Sequence, residues 1–360
     1  MKSEHIFTFY YNNFHLLILI FFVFNFTFPS FAQTSNSSVA VSIVSDECEA
    51  VLEILSKKIT DQTINENNWQ KLFSSEGYVR LKKREASLDR DFTNDEFKVF
   101  VLSDSLSGKF QLLSATLNKW KRIDIKKAAN RSLKYLPAGT QIKAKIYPVI
   151  KPKSNSFVFD TENDPAIFLY LNPKVSPAKF ENTLAHELHH IGYSSACGKS
   201  ISRISKDSTI PPNIREVLDW INAFGEGYAM LAAAGGPDIH PHADSPVLER
   251  ERWDNDMKNF NVDLKKLEQF FFDILNDKLT KKEIQETAFS FFGIQGPWYT
   301  VGWKMAATIE KIYGREKLIG CMCNPRILLT IYNKAALEYN SRNKDSLAIW
   351  SPQLAERIAE

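Results

Sequence analysis

Apolar residues recur at every third or fourth position along most of this chain, and at every second position in one short tract. The first pattern predicts helices. It runs through Val51, Leu52, Ile54, Leu55 and Ile59, with Asp46 as the N-terminal cap. It returns at Trp69, Leu72 and Phe73, and from Tyr78 to Leu81 after the interruption at Gly77. Phe97, Phe100 and Val101 follow the capping stretch Thr93-Asn94-Asp95-Glu96. Phe110, Leu113, Leu117 and Trp120, then Ile125, Ala128, Ala129 and Leu133, complete a helical N-terminal lobe over 46–136. The charged run Lys82-Lys83-Arg84-Glu85 reads as a solvated helix face.

Pro137-Ala138-Gly139 ends that period. Ile142, Ala144 and Ile146 then alternate with Lys143 and Lys145, which is strand periodicity. Pro148 puts this strand at a sheet edge, or puts a bulge at its end. Stretches 156–160 and 166–171 predict two further strands, so a small sheet is expected over 140–171. A helix over 177–191 follows, with Pro177 in its first turn and Gly192 as its stop. Residues 193–212 are expected to be a surface loop, and Pro211-Pro212 to start a helix over 213–234. Helices built on Leu264, Leu267 and Ile274, on Met305, Ala306 and Ile309, and on Leu328, Ile331 and Tyr332 carry this second region, 137–345, to an amphipathic tail over 346–360. The fold class is therefore α+β and predominantly helical, with a small sheet packed beside the 177–191 helix.

Composition adds a location and removes some functions. Residues 16–24 are uninterrupted apolar, and Ser30-Phe31-Ala32 has small residues at the positions a signal peptidase reads. Residues 1–32 read as a secretory signal and 33–45 as a polar lead-in; an uncleaved N-terminal anchor is the alternative. Either places the body outside the cytoplasm, and no later stretch is apolar enough to span a bilayer. A net charge of +3 over 360 residues is too small to argue for nucleic acid. In an oxidising compartment Cys48, Cys197, Cys321 and Cys323 allow up to two disulfides, with three possible pairings.

The candidate chemistry starts at His186-Glu187-Leu188-His189-His190, an HExxH match. Residues four apart share a helix face, so His186 and His190 can hold one ion while Glu187 reaches a water beside it. His189 is left spare, as a supporting or solvent-facing residue. On the next helix, Gly225-Glu226-Gly227-Tyr228-Ala229 sets a carboxylate between two glycines among apolar residues. A buried acid is costly without a partner, and each glycine weakens a helix by up to about 1 kcal/mol. Both costs make sense if Glu226 meets a metal and its helix packs closely on a neighbour. The expected zinc ligands are His186, His190 and Glu226, with one Zn2+ per chain and the fourth position open to water. Asn222 and Asp219 share the face of Glu226 and are candidates to support it, or simple surface residues. His240 and His242 fit an exposed loop. Gly302 would permit a close helix approach, and Tyr299 is either an oxyanion donor or an aromatic core residue.

The HExxH helix, with Glu226 36 residues after His190, resembles the gluzincin group of zinc peptidases, to which thermolysin belongs. More narrowly, the chain resembles a family of secreted bacterial zinc-dependent peptidases over most of its mature length, with a weaker match in the Pro297–Trp303 stretch. The resemblance implies a zincin-like fold, ligands His186, His190 and Glu226, and Glu187 as general base. It also implies a sheet edge near 166–171 that pairs with an extended peptide or protein substrate. The sequence departs from thermolysin-like enzymes at Met230, where those carry an orienting Asp. The function expected is hydrolysis of peptide bonds by a metal-activated water. Two alternatives stay open: a secreted helical binding protein that keeps the zinc site without turnover, and a zinc hydrolase of a non-peptide amide or ester.

Overall fold

The alternation at Ile142, Ala144 and Ile146 builds the middle of a four-stranded sheet. A computed structural model describes residues 38–161 and 163–359. The secretory signal expected over 1–32 lies outside them. The strands are β1 (Val39–Ile43), β2 (Ile142–Val149), β3 (Phe157–Phe159) and β4 (Ala166–Tyr170), in the order β1-β2-β4-β3. β1, β2 and β4 are parallel, and β3 is antiparallel to β4. Side chains alternate between two buried faces. Ile142, Ala144, Ile146, Ile167 and Leu169 join the main core, whereas Tyr147, Val149, Ala166, Phe168 and Phe157 form a smaller cluster with Leu81.

Three sequence expectations about the sheet change. The lead-in 33–45 contains β1, whose partner lies about a hundred residues away in β2. β2 is central, not an edge. Pro148 is tolerated because β1 has already left: Val44 N–H donates to Ile146 O at 2.8 Å, and the neighbouring helix supplies the next acceptor on that side, Glu47 Oε2, which takes the Ile150 N–H at 3.0 Å. The edge beside 166–171 is occupied by β3, which pairs with Ala166–Phe168.

Between β1 and β2 lie seven helices: α1 (Asp46–Ile59), α2 (Glu66–Phe73), α3 (Glu76–Ala86), α4 (Asn94–Val101), α5 (Asp104–Ser107), α6 (Phe110–Trp120) and α7 (Ile125–Leu133). Thr93 and Glu96 form the capping box read from the sequence. After the sheet comes α8 (Pro177–Lys206), capped by Ser176, whose hydroxyl accepts the Lys179 N–H at 3.1 Å. α8 runs through Gly192 and through residues 193–206 of the expected loop 193–212. Gly192 is there for packing: a Cβ would lie 2.3 Å from Leu136 Cδ1 and 3.2 Å from Ile142 Cγ1. The expected helix 213–234 is two helices, α9 (Pro212–Ile221) and α10 (Gly225–Ala234), joined by a 3-10 turn at Asn222–Phe224.

The remaining helices are α11 (Val247–Lys258), α12 (Phe260–Leu275), α13 (Lys281–Ser290), α14 (Pro297–Tyr313), α15 (Arg315–Met322), α16 (Pro325–Arg342) and α17 (Pro352–Ala359). The tail over 346–360 is part of the core: Trp350 is fully buried and its indole N–H donates to Met305 Sδ at 3.3 Å. Burying a side chain of that size contributes about 2–3 kcal/mol. One buried apolar cluster extends from Cys48 in α1 to Ile358 in α17. A Cys197–Cys323 disulfide ties the extension of α8 to the end of α15 and closes a loop with a sequence separation of 126, a constraint of roughly 2–5 kcal/mol. Cys48 and Cys321 are buried free thiols. No helix among the described residues is long and apolar enough to cross a membrane.

Candidate metal centre

The site forms where α8, α10 and α14 cross. α8 buries Phe180, Leu184, Leu188 and Ile191 against the sheet and α7, and Ser132 Oγ fastens it by donating to Ala185 O at 2.6 Å. His186 and His190, one turn apart, therefore face away from the sheet. α10 and α14 meet backbone to backbone. A Cβ on Gly227 would lie 2.0 Å from Trp303 N, and one on Gly302 would lie 2.8 Å from Phe224 O. That contact brings Glu226, in the first turn of α10, up to the two imidazoles. Only one of the flanking glycines is sterically required, since a Cβ on Gly225 meets nothing within 4 Å.

Three lone-pair atoms converge there. His186 Nε2 and His190 Nε2 are 3.0 Å apart, and Glu226 Oε2 is 3.3 Å from each. Four ligands held tetrahedrally at about 2.0–2.1 Å from zinc stand roughly 3.3–3.5 Å from one another. The observed spacing is close to that, and Glu226 Oε2 is buried with no hydrogen-bond donor. Two nitrogens, one oxygen and an acceptor left without a proton donor fit a divalent cation. This is the one group of three His, Cys, Asp or Glu found among the described residues that could hold a metal.

The electrostatics follow the packing. Burial pushes the Glu226 carboxyl up, but His190 and His186 pull it well below the usual carboxylate range. Glu187 is 8% exposed with Oε2 unpartnered, and burial raises its carboxyl to about 7 against the pull of His186. The Tyr299 ring lies 6.3 Å from that of His186 and nearly parallel to it. Burial, then the charges of Glu226 and Glu187, hold the Tyr299 hydroxyl well above its ordinary range, so it stays protonated. The sequence-predicted residues His186, Glu187, His190, Glu226 and Tyr299 are thus gathered in one place.

Other expectations fail, for packing reasons. His189 does not face solvent; it is fully buried, 3.4 Å from Tyr135 O, and burial lowers its ionisation to about 3. Asp219 turns to Ser205 on the unexpected extension of α8, and Asn222 Nδ2 donates to Leu218 O at 3.1 Å, so neither touches Glu226. His240 and His242 do lie in a loop, and His240 stays partly exposed, 3.1 Å from Asp254, but His242 is buried against Trp253. Sequence reading missed Tyr193, one turn past His189. Its hydroxyl donates to Met322 O at 2.9 Å, joining α8 to the turn that carries Cys323. Its helical position is masked in the sequence by the Ser- and Lys-rich stretch that follows it.

A family model described as "Putative zinc dependent peptidase (DUF5700)" matches residues 69–341. That span contains the whole α8–α10–α14 crossing. No curated protein and no solved structure gives a significant match.

Proposed function

Because the chain belongs to this zinc-dependent peptidase family, we propose that it is a secreted peptidase of zincin-like architecture, with zinc held by His186, His190 and Glu226 and with Glu187 as general base. The observation that carries the reading is the convergence of the three ligand atoms, each about 3 Å from the next, with Glu187 in the adjacent helical position. A bound zinc ion would supply Lewis-acid polarisation of a carbonyl oxygen and bring the pKa of water towards about 7.

The chain's own residues supply the rest. Glu187 takes a proton from the water that adds to the scissile carbonyl carbon. It returns that proton to the amide nitrogen as the C–N bond breaks, so one water is consumed and a carboxylic acid and an amine are released. Tyr299, held neutral, donates a hydrogen bond to the oxygen that gains charge. The ligand side chains are only 5–13% exposed, which keeps bulk water from competing for these contacts. The Cys197–Cys323 bridge supports an extracytoplasmic location, in line with the signal-like residues 1–32.

The test is Glu187→Gln with zinc loading checked by elemental analysis. The variant should keep about one zinc per chain and lose at least about a hundredfold in cleavage of a mixed peptide library. Undiminished cleavage would sink the assignment of the base. Well-folded protein that binds no zinc would favour the binding-protein reading.

A further inference from the structure

Three buried nitrogens without hydrogen-bond partners lie on the flank of this site. His242 is 4% exposed; its Nδ1 is 3.1 Å from the Ser245 hydroxyl, and its Nε2 is buried with no partner. Trp303 Nε1 and Arg252 Nε are also buried and unpartnered. The Trp253 ring lies 5.3 Å from that of His242 and 5.9 Å from that of Trp303, and Arg252 is its neighbour in α11. Among the described residues the guanidinium's one hydrogen bond is long, 3.5 Å from Nη2 to Gln295 Oε1, and Arg252 forms no ion pair. Of the nearby acids, Asp254 is paired with His240, and Glu249 is paired with Lys179 while lying 3.9 Å from His242 at Nδ1, not at Nε2. Asp256, one turn on from Arg252, feels its charge but forms no ion pair with it.

Buried donors almost always have acceptors, and an orphan costs about 1–3 kcal/mol. Three together, one of them cationic, complement a ligand that brings several lone pairs and a negative charge. Two structural links place them beside the metal ligands. Trp303 is one turn beyond Tyr299 on α14. Pro241 O, next to His242, accepts from Asn182 Nδ2 at 3.1 Å, and Asn182 is one turn before His186 on α8. Trp303 thus follows Tyr299 by one helical turn, and the loop that carries His242 is fastened to α8 one turn before His186.

We propose that Arg252, His242 and Trp303 bind the free C-terminal carboxylate of the peptide substrate, so that the protein is a carboxypeptidase; the proposal rests on the peptidase reading above. A carboxylate offers two oxygens and a full charge to a guanidinium and two neutral N–H groups. A carbonyl in mid-chain offers one neutral oxygen and would leave most of these donors unpaired. In the tautomer with its proton on Nε2 and with Nδ1 accepting from the Ser245 hydroxyl, neutral His242 would donate to the carboxylate.

Binding tests this apart from turnover. Zinc-loaded Glu187→Gln protein is titrated calorimetrically with N-acetyl-trialanine and with its C-terminal amide. The acid should bind at least tenfold more tightly, and Arg252→Gln should erase that preference by weakening the acid alone. Equal affinities, or no binding of either peptide, overturn the proposal, and this comparison needs no variant of the donor residues. Cleavage by the zinc-loaded wild type separates the two readings. Release of the last residue from acids but not amides supports both. Internal cleavage of acid and amide at equal rates keeps the peptidase and overturns the carboxylate site. Acid-selective binding with no cleavage of any peptide keeps the carboxylate site and sinks the peptidase.

Discussion

Two buried carboxylates, in two regions of the molecule, have different meanings. Glu226 lies at the α8–α10–α14 crossing, 4% exposed, and Glu47 lies at the junction of α1 with the end of β2, fully buried. Each has one carboxylate oxygen without a hydrogen-bond donor. At the junction, Glu47 Oε2 takes one backbone N–H from Ile150 at 3.0 Å, and burial pushes the carboxyl up to about 8. At the crossing, two imidazole nitrogens stand 3.3 Å from Glu226 Oε2, and the carboxyl is pulled the opposite way. A perturbed buried acid is therefore no mark of a metal centre. What distinguishes the crossing is that lone pairs from three side chains meet at one point, whereas the acid at the junction replaces a strand partner that has ended.

The largest effect should separate the two directly. Glu226→Ala removes one of the three proposed ligands and is expected to lower zinc affinity about a thousandfold or more in a competition titration. Glu47→Gln should leave that affinity within about twofold. Equal losses would mean that both acids act through the fold, and the distinction would break.

Next in size is the backbone contact that makes the crossing possible. Gly227→Ala forces a methyl to within 2.0 Å of Trp303 N and 2.2 Å of Gly302 C, atoms that cannot rotate away. A destabilisation of about 3 kcal/mol or more is expected in denaturant unfolding, together with loss of zinc although no ligand has changed. Gly225→Ala should be neutral or stabilise by up to about 1 kcal/mol, because its Cβ meets nothing within 4 Å. If the two variants behave alike, close packing is not what positions Glu226.

The same contrast explains what could be read from the sequence. His186 and His190 share a face through local helical geometry, and Glu226 is conspicuous as an acid between glycines in an apolar run, so the three residues that could hold a metal were legible. So was the alternation of β2 at Ile142, Ala144 and Ile146. Features fixed by distant partners were not. β1 is a five-residue strand whose parallel neighbour is about a hundred residues away, so nothing beside it in the chain announced pairing. Gly192 resembles a helix stop, yet its role depends on Leu136 and Ile142 filling the space where a Cβ would be. Because α8 continues past it, Asp219 meets Ser205 instead of Glu226, and Cys197 comes within bonding distance of Cys323. His242 lies in a loop, but its burial depends on Trp253, a residue of the following helix.

The last effect comes from Glu47; it is near zero at pH 4.5 and grows as pH rises. Its carboxyl titrates at about 8 in the folded chain, against an ordinary value of 4.5. Between those values the folded state holds a proton that the unfolded state has released, so this group makes stability fall as pH rises. The slope is at most about 1.4 kcal/mol per pH unit, flat below 4.5 and flat again above 8. Glu47→Gln keeps the shape and the neutral state, and its amide oxygen can still accept the Ile150 N–H. Wild type and variant should therefore unfold at nearly the same denaturant concentration at pH 4.5, with the variant pulling ahead steadily towards pH 8. Taking the difference between the two cancels other groups that titrate in this range. A difference that does not change with pH would mean that Glu47 is ionised throughout. The junction would then hold a paired charge, as the crossing does, and the contrast between the two regions would fail at that point.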